Sequence, residues 1–285
     1  MRREKDMSLT LTLGLTSLLF VSGATPERLP KALATRASIA CLDLEDSVPE
    51  AGKATARAAA LTLMGSDPRV AIRINPVSTL AGLRDLVAFA DAPVRPTILL
   101  LPKAESAGDV AIVRGALGED VVIIPLIESP AALQQTAAIA ASPGVGAMMF
   151  GGGDLAGDLG VAIAWEPLLA ARGLFLLGCA QAGVPTIDVP FIALADLAGL
   201  EAETLKAHAL GFQAKAAIHP TQVDVINAVL RPSAALIAEA RAAEVAFVQG
   251  GVAAVRFGGK MLELPVMRRY RRILAQAAIE GNAHA

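Results

Sequence analysis

The sequence predicts a (β/α)8 barrel with a C-terminal helical extension, and three observations lead there. Eight short runs rich in Val, Ile and Leu recur along the chain, helix-forming segments lie between them, and the runs show little polar alternation. Strands of that composition are covered on both faces, which is the condition of a parallel sheet. The runs are "SLLFVSG", "SIACLDLEDSV", "RVAIRINP", "TILLLPKA", "VVIIPLIES", "GAMMFGGGDL", "VPTIDVP" and "AKAAIHP", beginning at about residues 17, 38, 69, 97, 121, 146, 184 and 214. Each interval accommodates one strand, one helix and their loops. Eight is the number at which such a sheet closes with its interior filled by side chains, so a TIM barrel is expected ahead of an open doubly wound sheet.

In chain order, the N-terminal "MRREKDMSLTLTLGLTSLLFVSG" imitates a secretory leader, with a basic start and an apolar stretch. Its interleaved threonines suit a strand better, and no apolar run reaches the ~18 residues of a membrane span. The expectation is a cytoplasmic protein without membrane attachment. Helices are expected at "PERLPKALATR", "TLAGLRDLVAFA", "SAGDVAIVRGAL", "SPAALQQTAAIAA" and "LEAETLKAHALG", which carry helix formers with apolar residues three to four apart. Residues 1–230 are read as the barrel. Residues 231–285, with "PSAALIAEARAAEVAFVQ", the Gly-rich connection "GGVAAVRFGGKMLELP" and "VMRRYRRILAQAAIE", form an extension expected to close over the barrel or a neighbouring subunit.

At 285 residues, 54% of them hydrophobic, the chain can bury a large core without disulfides or a structural metal. A net charge of −2 and 4% aromatic residues provide neither the basic footprint nor the stacking platform of a nucleic-acid binder. The expected partner is a small molecule. Cys41 and Cys179 stand in apolar runs, where thiols pack as small hydrophobes.

A barrel enzyme works at the C-terminal ends of its strands. There the sequence places Asp43, Glu45 and Asp46, Arg73 and Asn75, Lys103 and Glu105, Glu128, Asp154, Asp188 and His219. Glu128 and Asp154, from adjacent strands, offer oxygen ligands to one Mg2+, which keeps waters and substrate oxygens in its other positions. Zinc is disfavoured, because neither His208 nor His219 pairs with a cysteine at ligand spacing. Taken singly, Glu128 also reads as a carboxylate at a helix N-terminus and Asp154 as a helix cap. Arg73 suits bidentate binding of a carboxylate, or an ion pair with the Asp43/Glu45/Asp46 cluster, whose expected role is to orient Arg73, Lys103 or a metal-bound water. His219 reads as a hydrogen-bonded structural residue. A Schiff base on Lys103 is disfavoured by the acids around it.

The glycines of "FGGGDL" match neither dinucleotide nor P-loop spacing. What Gly151, Gly152 and Gly153 offer is bare backbone at the start of a helix, where N–H groups hold a carboxylate. Asp158, one turn on, is assigned to the helix rather than to the metal.

The stretches "LLFVSG", "LDLEDSV" with Lys53 and Arg57 downstream, "IRIN", "LPKAES", "LIESP", "FGGGDLAGDLG", "IDVP", "GFQAKAAIHPTQ" and "GGKMLELP" together resemble the citrate lyase β-subunit-like lyases. These belong to the HpcH/HpaI aldolase group of the phosphoenolpyruvate/pyruvate superfamily, and the likeness covers nearly the whole chain. The resemblance implies a Mg2+-dependent carbon–carbon lyase acting on citryl-, malyl- or citramalyl-CoA, or on the acyl-carrier-protein thioester, with a keto acid as product. It implies Glu128 and Asp154 as metal ligands, Arg73 and the 151–154 backbone as keto-acid binders, and a homotrimer. In the family the tail commonly reads Gly-x-Met-Ile-Asp-x-Pro, its Asp acting as acid/base at a neighbouring subunit's site. Here Glu263 stands at that position, and one extra methylene is enough to misplace a proton-transfer group. Ser22 replaces a customary proline and Ala214 a customary glycine. Two alternatives stay open: a free-acid class II aldolase releasing pyruvate, and a catalytically impaired, regulatory relative.

Overall fold

Each apolar run forms a strand, and the eight close on themselves. They are β1 Ser17–Ser22, β2 Ile39–Asp43, β3 Val70–Arg73, β4 Ile98–Leu101, β5 Val122–Ile127, β6 Met148–Phe150, β7 Thr186–Asp188 and β8 Ala214–Ala217. All neighbours are parallel, and β8 returns to β1 with Ser17 opposite Lys215. The computed structural model describes residues 14–251 and 254–283. Most of the leader-like N-terminal stretch lies outside them. Among the described residues no helix is long and apolar enough to cross a membrane.

Between strands run α1 Leu29–Leu33, α2 Lys53–Leu63, α3 Leu80–Ala90, α4 Ala107–Leu117, α5 Pro130–Ala140, the pair α6 Gly152–Leu159 and α7 Trp165–Ala182, and α8 Leu197–Leu210. α9 Pro220–Leu230 follows β8. Polar residues start several of them: the side chains of Thr79, Ser129 and Asp196 accept from the N–H groups of Gly82, Ala132 and Gly199.

Strand side chains alternate between two cores. Leu18, Cys41, Ala71, Leu100, Leu126, Met149 and Ile187 fill the barrel interior. Leu19, Leu42, Ile72, Leu101, Ile127 and Phe150 face the helices. Both cysteines are buried and unpaired, Cys41 inside the barrel and Cys179 in the outer layer.

The described residues divide after Leu230 into two compact units. The second holds α10 Ala234–Gln249, the antiparallel hairpin β9 Val255–Phe257 and β10 Lys260–Leu262, and α11 Leu264–Ala283. Its own core contains Ala240, Phe247, Leu262, Met267 and Tyr270. The expected helices are present, but "VRFGGKML" is a hairpin rather than a featureless connection. Gly258 and Gly259 turn it with φ of 53° and 77°, the doubly positive pair of a type I′ turn.

Candidate active site

Alternation decides which polar residues meet. Asp43 and Arg73 continue the inward parity of Cys41 and Ala71, and Glu128 that of Leu126. Asp43 accepts two hydrogen bonds from Arg73, from Nε at 2.6 Å and from Nη2 at 2.7 Å. The guanidinium also lies 4.9 Å from the centre of the Phe20 ring. Burial pushes the Asp43 carboxyl upward, but the Arg73 pairing outweighs it and holds the group below the usual carboxylate range. Arg73 Nη1 approaches Glu45 Oε2 at 3.1 Å without hydrogen-bond alignment. Both Glu45 carboxylate oxygens are therefore buried with no hydrogen-bond partner among the described residues. Burial pushes Glu45 up to about 7.

Glu128 is buried and accepts the backbone N–H of Lys103 at 2.6 Å. Burial first, then the charge of Glu45, pushes it up to about 8. The Lys103 ammonium lies 3.4 Å from Glu45, 3.7 Å from Asp154 and 4.0 Å from Asp46. Partial burial works against that ammonium, but the three carboxylates outweigh it and keep the lysine above its ordinary value. This is the opposite of what an imine-forming lysine requires.

The three glycines serve different ends. Gly151 donates its N–H to the Ile127 carbonyl at 2.9 Å, so that group does not face the cavity, contrary to the expectation for 151–153. Gly151 matters sterically instead, because a Cβ there would overlap Glu128 Cγ. The N–H groups left by helix geometry at the start of α6 are those of Gly152, Gly153 and Asp154. Asp154 is exposed in this first turn, and Asp158 is exposed further along the helix. A cavity of about 550 Å³ is lined by Phe20, Arg73, Leu126, Glu128, Met149 and Asp154, among others.

Two residues of α2 hold the loops that carry this site. Lys53 Nζ donates to the Leu44 and Glu45 carbonyls at 2.9 and 2.7 Å. Arg57 binds Asp85 at 2.6 Å, and Asp85 accepts from the Asn75 backbone and side chain at 2.9 and 2.7 Å. Sequence reading assigned neither α2 residue a role; the signal was two basic residues four apart on a helix just after "LDLEDSV".

Three strand-end residues do not join the site. Asp188 points outward and binds buried Arg172 Nε at 2.8 Å and Lys215 Nζ at 2.7 Å. Lys215 also donates to the Val189 carbonyl and to Glu203, both at 2.8 Å. Glu105 accepts from the Ser129 hydroxyl at 2.7 Å. His219 is exposed and hydrogen-bonded at Nδ1 to Thr221, in a second cavity of about 390 Å³ that also has Arg28 and Lys31 in its wall. Glu263 is exposed between β10 and α11, and its carbonyl accepts from Met267 N–H at 2.9 Å.

A hard divalent cation suits this donor set. The acids are oxygen donors, two of them buried, one with orphaned oxygens, and a positive group already sits against Asp154 and Glu45. Among the described residues no three His, Cys, Asp or Glu side chains form a complete cage. Mg2+ held by one or two carboxylates, waters and substrate needs none.

The HpcH/HpaI aldolase/citrate lyase profile matches residues 16–220, and that of carbon–carbon bond lyases of the TIM-barrel fold matches residues 181–281. A (3S)-malyl-CoA thioesterase of Cereibacter sphaeroides is 34% identical over 92% of this chain and 94% of its own. A citrate lyase subunit beta-like protein of Mycobacterium tuberculosis is 34% identical over 91% and 94%. CitE of M. tuberculosis, solved with magnesium, acetoacetate and coenzyme A, superposes with a TM-score of 0.80 at 33% identity, covering 94% of this chain and 99% of that one. RipC of Yersinia pestis has a TM-score of 0.71 at 39% identity over 79% and 99%. With a barrel, a strand-end acid cluster and a profile match from the first strand to the last, this chain belongs to the HpcH/HpaI aldolase/citrate lyase family.

Proposed function

We propose that the protein is a Mg2+-dependent lyase that cleaves a 3-hydroxyacyl-CoA thioester into a 2-keto acid and an acyl thioester. The observation that carries this is the convergence of three acids on Lys103, Glu45 and Asp154 about its ammonium and Glu128 on its backbone N–H, a concentration of carboxylate oxygens suited to a divalent cation. Glu128 and Asp154 would hold the ion. Mg2+, when bound, supplies Lewis-acid stabilisation of charge developing on the substrate's carbinol and carboxylate oxygens.

The chain's residues then divide the work. The first-turn N–H groups of α6 receive the substrate carboxylate. Arg73, fixed by Asp43, turns its remaining N–H groups to the oxygen that becomes the keto group. Glu45, raised to about 7, takes the hydroxyl proton; the Asp46 charge favours its protonated form and the Lys103 ammonium its ionised form. The carbon–carbon bond breaks with its electron pair moving to the thioester α-carbon. The resulting enolate takes a proton from Glu263 of a neighbouring subunit in a homotrimer, leaving the acyl thioester.

The second cavity adjoins the first through Phe20, Ser22 and Ile218, and Arg28 and Lys31 make it basic. That favours a phosphate-bearing carrier over a free acid. Thioester hydrolysis is the second reading, supported by the (3S)-malyl-CoA thioesterase relatives. An assay with citramalyl-, malyl- and citryl-CoA that follows keto acid and free thiol separately tests both. Keto acid without thiol, abolished by EDTA, is expected; thiol release alone identifies a thioesterase, and turnover indifferent to EDTA removes the metal. Glu263→Asp tests impairment, because a large gain in rate would mark the natural protein as a weakened relative.

A further inference from the structure

Glu45 and Arg73 stand in an arrangement that buried groups normally escape. Arg73 Nη1 is 3.1 Å from Glu45 Oε2, close enough to pair, yet both carboxylate oxygens are without a hydrogen-bond partner among the described residues. Asp43, bonded by the same guanidinium, is held below the usual carboxylate range, whereas burial pushes Glu45 up to about 7. A buried carboxylate so placed gains by a small shift into alignment with the guanidinium. The backbone beneath it is bonded against that shift. Glu45 N–H donates to Asp43 Oδ1 at 2.9 Å, and the Glu45 carbonyl accepts from Val48 N–H at 3.0 Å and from Lys53 Nζ at 2.7 Å. The Leu44 carbonyl accepts from the same ammonium at 2.9 Å, and Leu44 N–H donates to the Arg73 carbonyl at 2.9 Å.

Lys53 stands out among these anchors. It is the first residue of α2, where the helix dipole disfavours a cation, and the first turn of that helix holds no acid. Its partly buried ammonium meets two carbonyls rather than a carboxylate. A residue kept against local preference points to a function that requires it. One turn on, along the same face of α2, Arg57 reaches the neighbouring loop. Its Nε binds buried Asp85, which accepts from the backbone and side chain of Asn75, two residues after Arg73. One helix thus fastens the segment that carries Glu45 and, through Asp85, the segment that carries Arg73.

We propose that Lys53 is a positioning residue: by holding the Leu44 and Glu45 carbonyls, it keeps the Glu45 carboxylate out of hydrogen-bond alignment with Arg73. Glu45 is then free for the substrate hydroxyl, and Arg73 Nη1 for the oxygen that becomes the keto group. This role rests on the lyase reading, in which Glu45 is the base.

The test uses the full-length protein with Mg2+ and whichever of malyl-, citramalyl- and citryl-CoA the wild type cleaves fastest. Lys53→Met should lower kcat at least about tenfold, a share of the roughly 10²–10⁴ that a positioned base supplies. KM should stay within about threefold, because the α6 N–H groups and the metal ligands keep their places. Lys53→Arg, which retains a cationic donor, should return kcat to within about threefold of wild type. In a Glu45→Gln background, Lys53→Met should change kcat less than about twofold, since its effect passes through Glu45. A raised KM at unchanged kcat, or the full kcat loss with Glu45→Gln already in place, overturns the inference. Crystal structures of wild type and Lys53→Met decide it without turnover: Glu45 hydrogen-bonded to Arg73 in the variant supports it, and Glu45 unmoved overturns it. If the wild type cleaves none of the three thioesters, the lyase reading fails and those structures alone decide the positioning. If Lys53→Met does not fold, Lys53→Gln, which keeps a neutral donor, replaces it in every comparison.

Discussion

Lys103 donates its backbone N–H to Glu128 Oε2 at 2.6 Å from a left-handed backbone with φ of 50°. It is the one non-glycine residue with positive φ among the described residues. That conformation costs an L-residue about 1–2 kcal/mol, and here it aims one residue's N–H at Glu128 and its ammonium at Glu45 and Asp154. Strain of this kind persists where surrounding structure enforces it, often at functional sites.

Lys103→Gly and Lys103→Ala both lose the ammonium, but only alanine keeps the strain. The glycine variant should be the more stable of the two by about 1 kcal/mol. Urea unfolding of the metal-free proteins checks this. Equal stabilities would mean that the left-handed backbone is not populated in solution.

Gly151 and Gly153 share one motif and are opposite in consequence. A Cβ at Gly151 overlaps Glu128 Cγ, whereas a Cβ at Gly153 meets nothing within 4 Å. Gly151→Ala should displace Glu128 and weaken Mg2+ binding at least about tenfold, the scale seen when groups supporting a metal ligand are disturbed. Gly153→Ala should leave the affinity unchanged. Calorimetric titration with Mg2+ distinguishes them, and equal behaviour would remove Glu128 from the ion's ligands.

The Asp43–Arg73 pair sets a pH dependence of stability. The folded Asp43 carboxyl lies below its unfolded value, so its contribution is fully present above the unfolded pKa of about 3.9 and is lost as pH falls through the folded value. Asp43→Asn leaves Arg73 without its main partner and should destabilise the protein by about 3–5 kcal/mol at pH 7. The gap between wild type and variant should shrink as pH falls below about 4. Denaturant midpoints measured from pH 7 to pH 3.5 follow it; a constant gap would contradict the pairing as the cause.

The strands and the acid cluster were legible because both follow from local pattern. Unbroken Val/Ile/Leu runs at βα spacing mark buried parallel strands, and polar residues just beyond them mark the catalytic end of a barrel. Parity was the missing step. Asp188 follows inward-facing Ile187 directly and so turns out toward Arg172 and Lys215, while Glu128 lies two residues after inward-facing Leu126. Arg172 carried no signal, being the one basic residue in the largely apolar helix α7, and the strain at Lys103 depends on the Glu128 loop beside it. The hairpin was readable at "FGGK", where paired glycines separate short apolar-alternating stretches.

Asp188 joins two buried cations, with Arg172 and Lys215 both nearly inaccessible. Asp188→Asn should cost about 3–5 kcal/mol, because it leaves both with a neutral partner. Lys215→Met should cost less, since Asp188 keeps Arg172. Lys215 also holds the Val189 carbonyl, and Val189 lines the cavity. Lys215→Met should therefore raise KM more than it lowers kcat, whereas an effect on stability alone would confine the network to the scaffold.

Glu263 stands in the second unit, and its proposed role in a neighbouring site has a numerical signature. Glu128→Gln and Glu263→Gln are each expected to be nearly inactive, the first through the metal and the second through proton return. In a trimer assembled from equal amounts of both, a site is intact only when a Glu263→Gln chain supplies Glu128 and the next chain, a Glu128→Gln variant, supplies Glu263. Random assembly makes about a quarter of the sites intact, so co-refolded or co-expressed mixtures should recover about that share of wild-type activity. If Glu263 served its own chain, every chain would carry one defect and no mixture would recover anything.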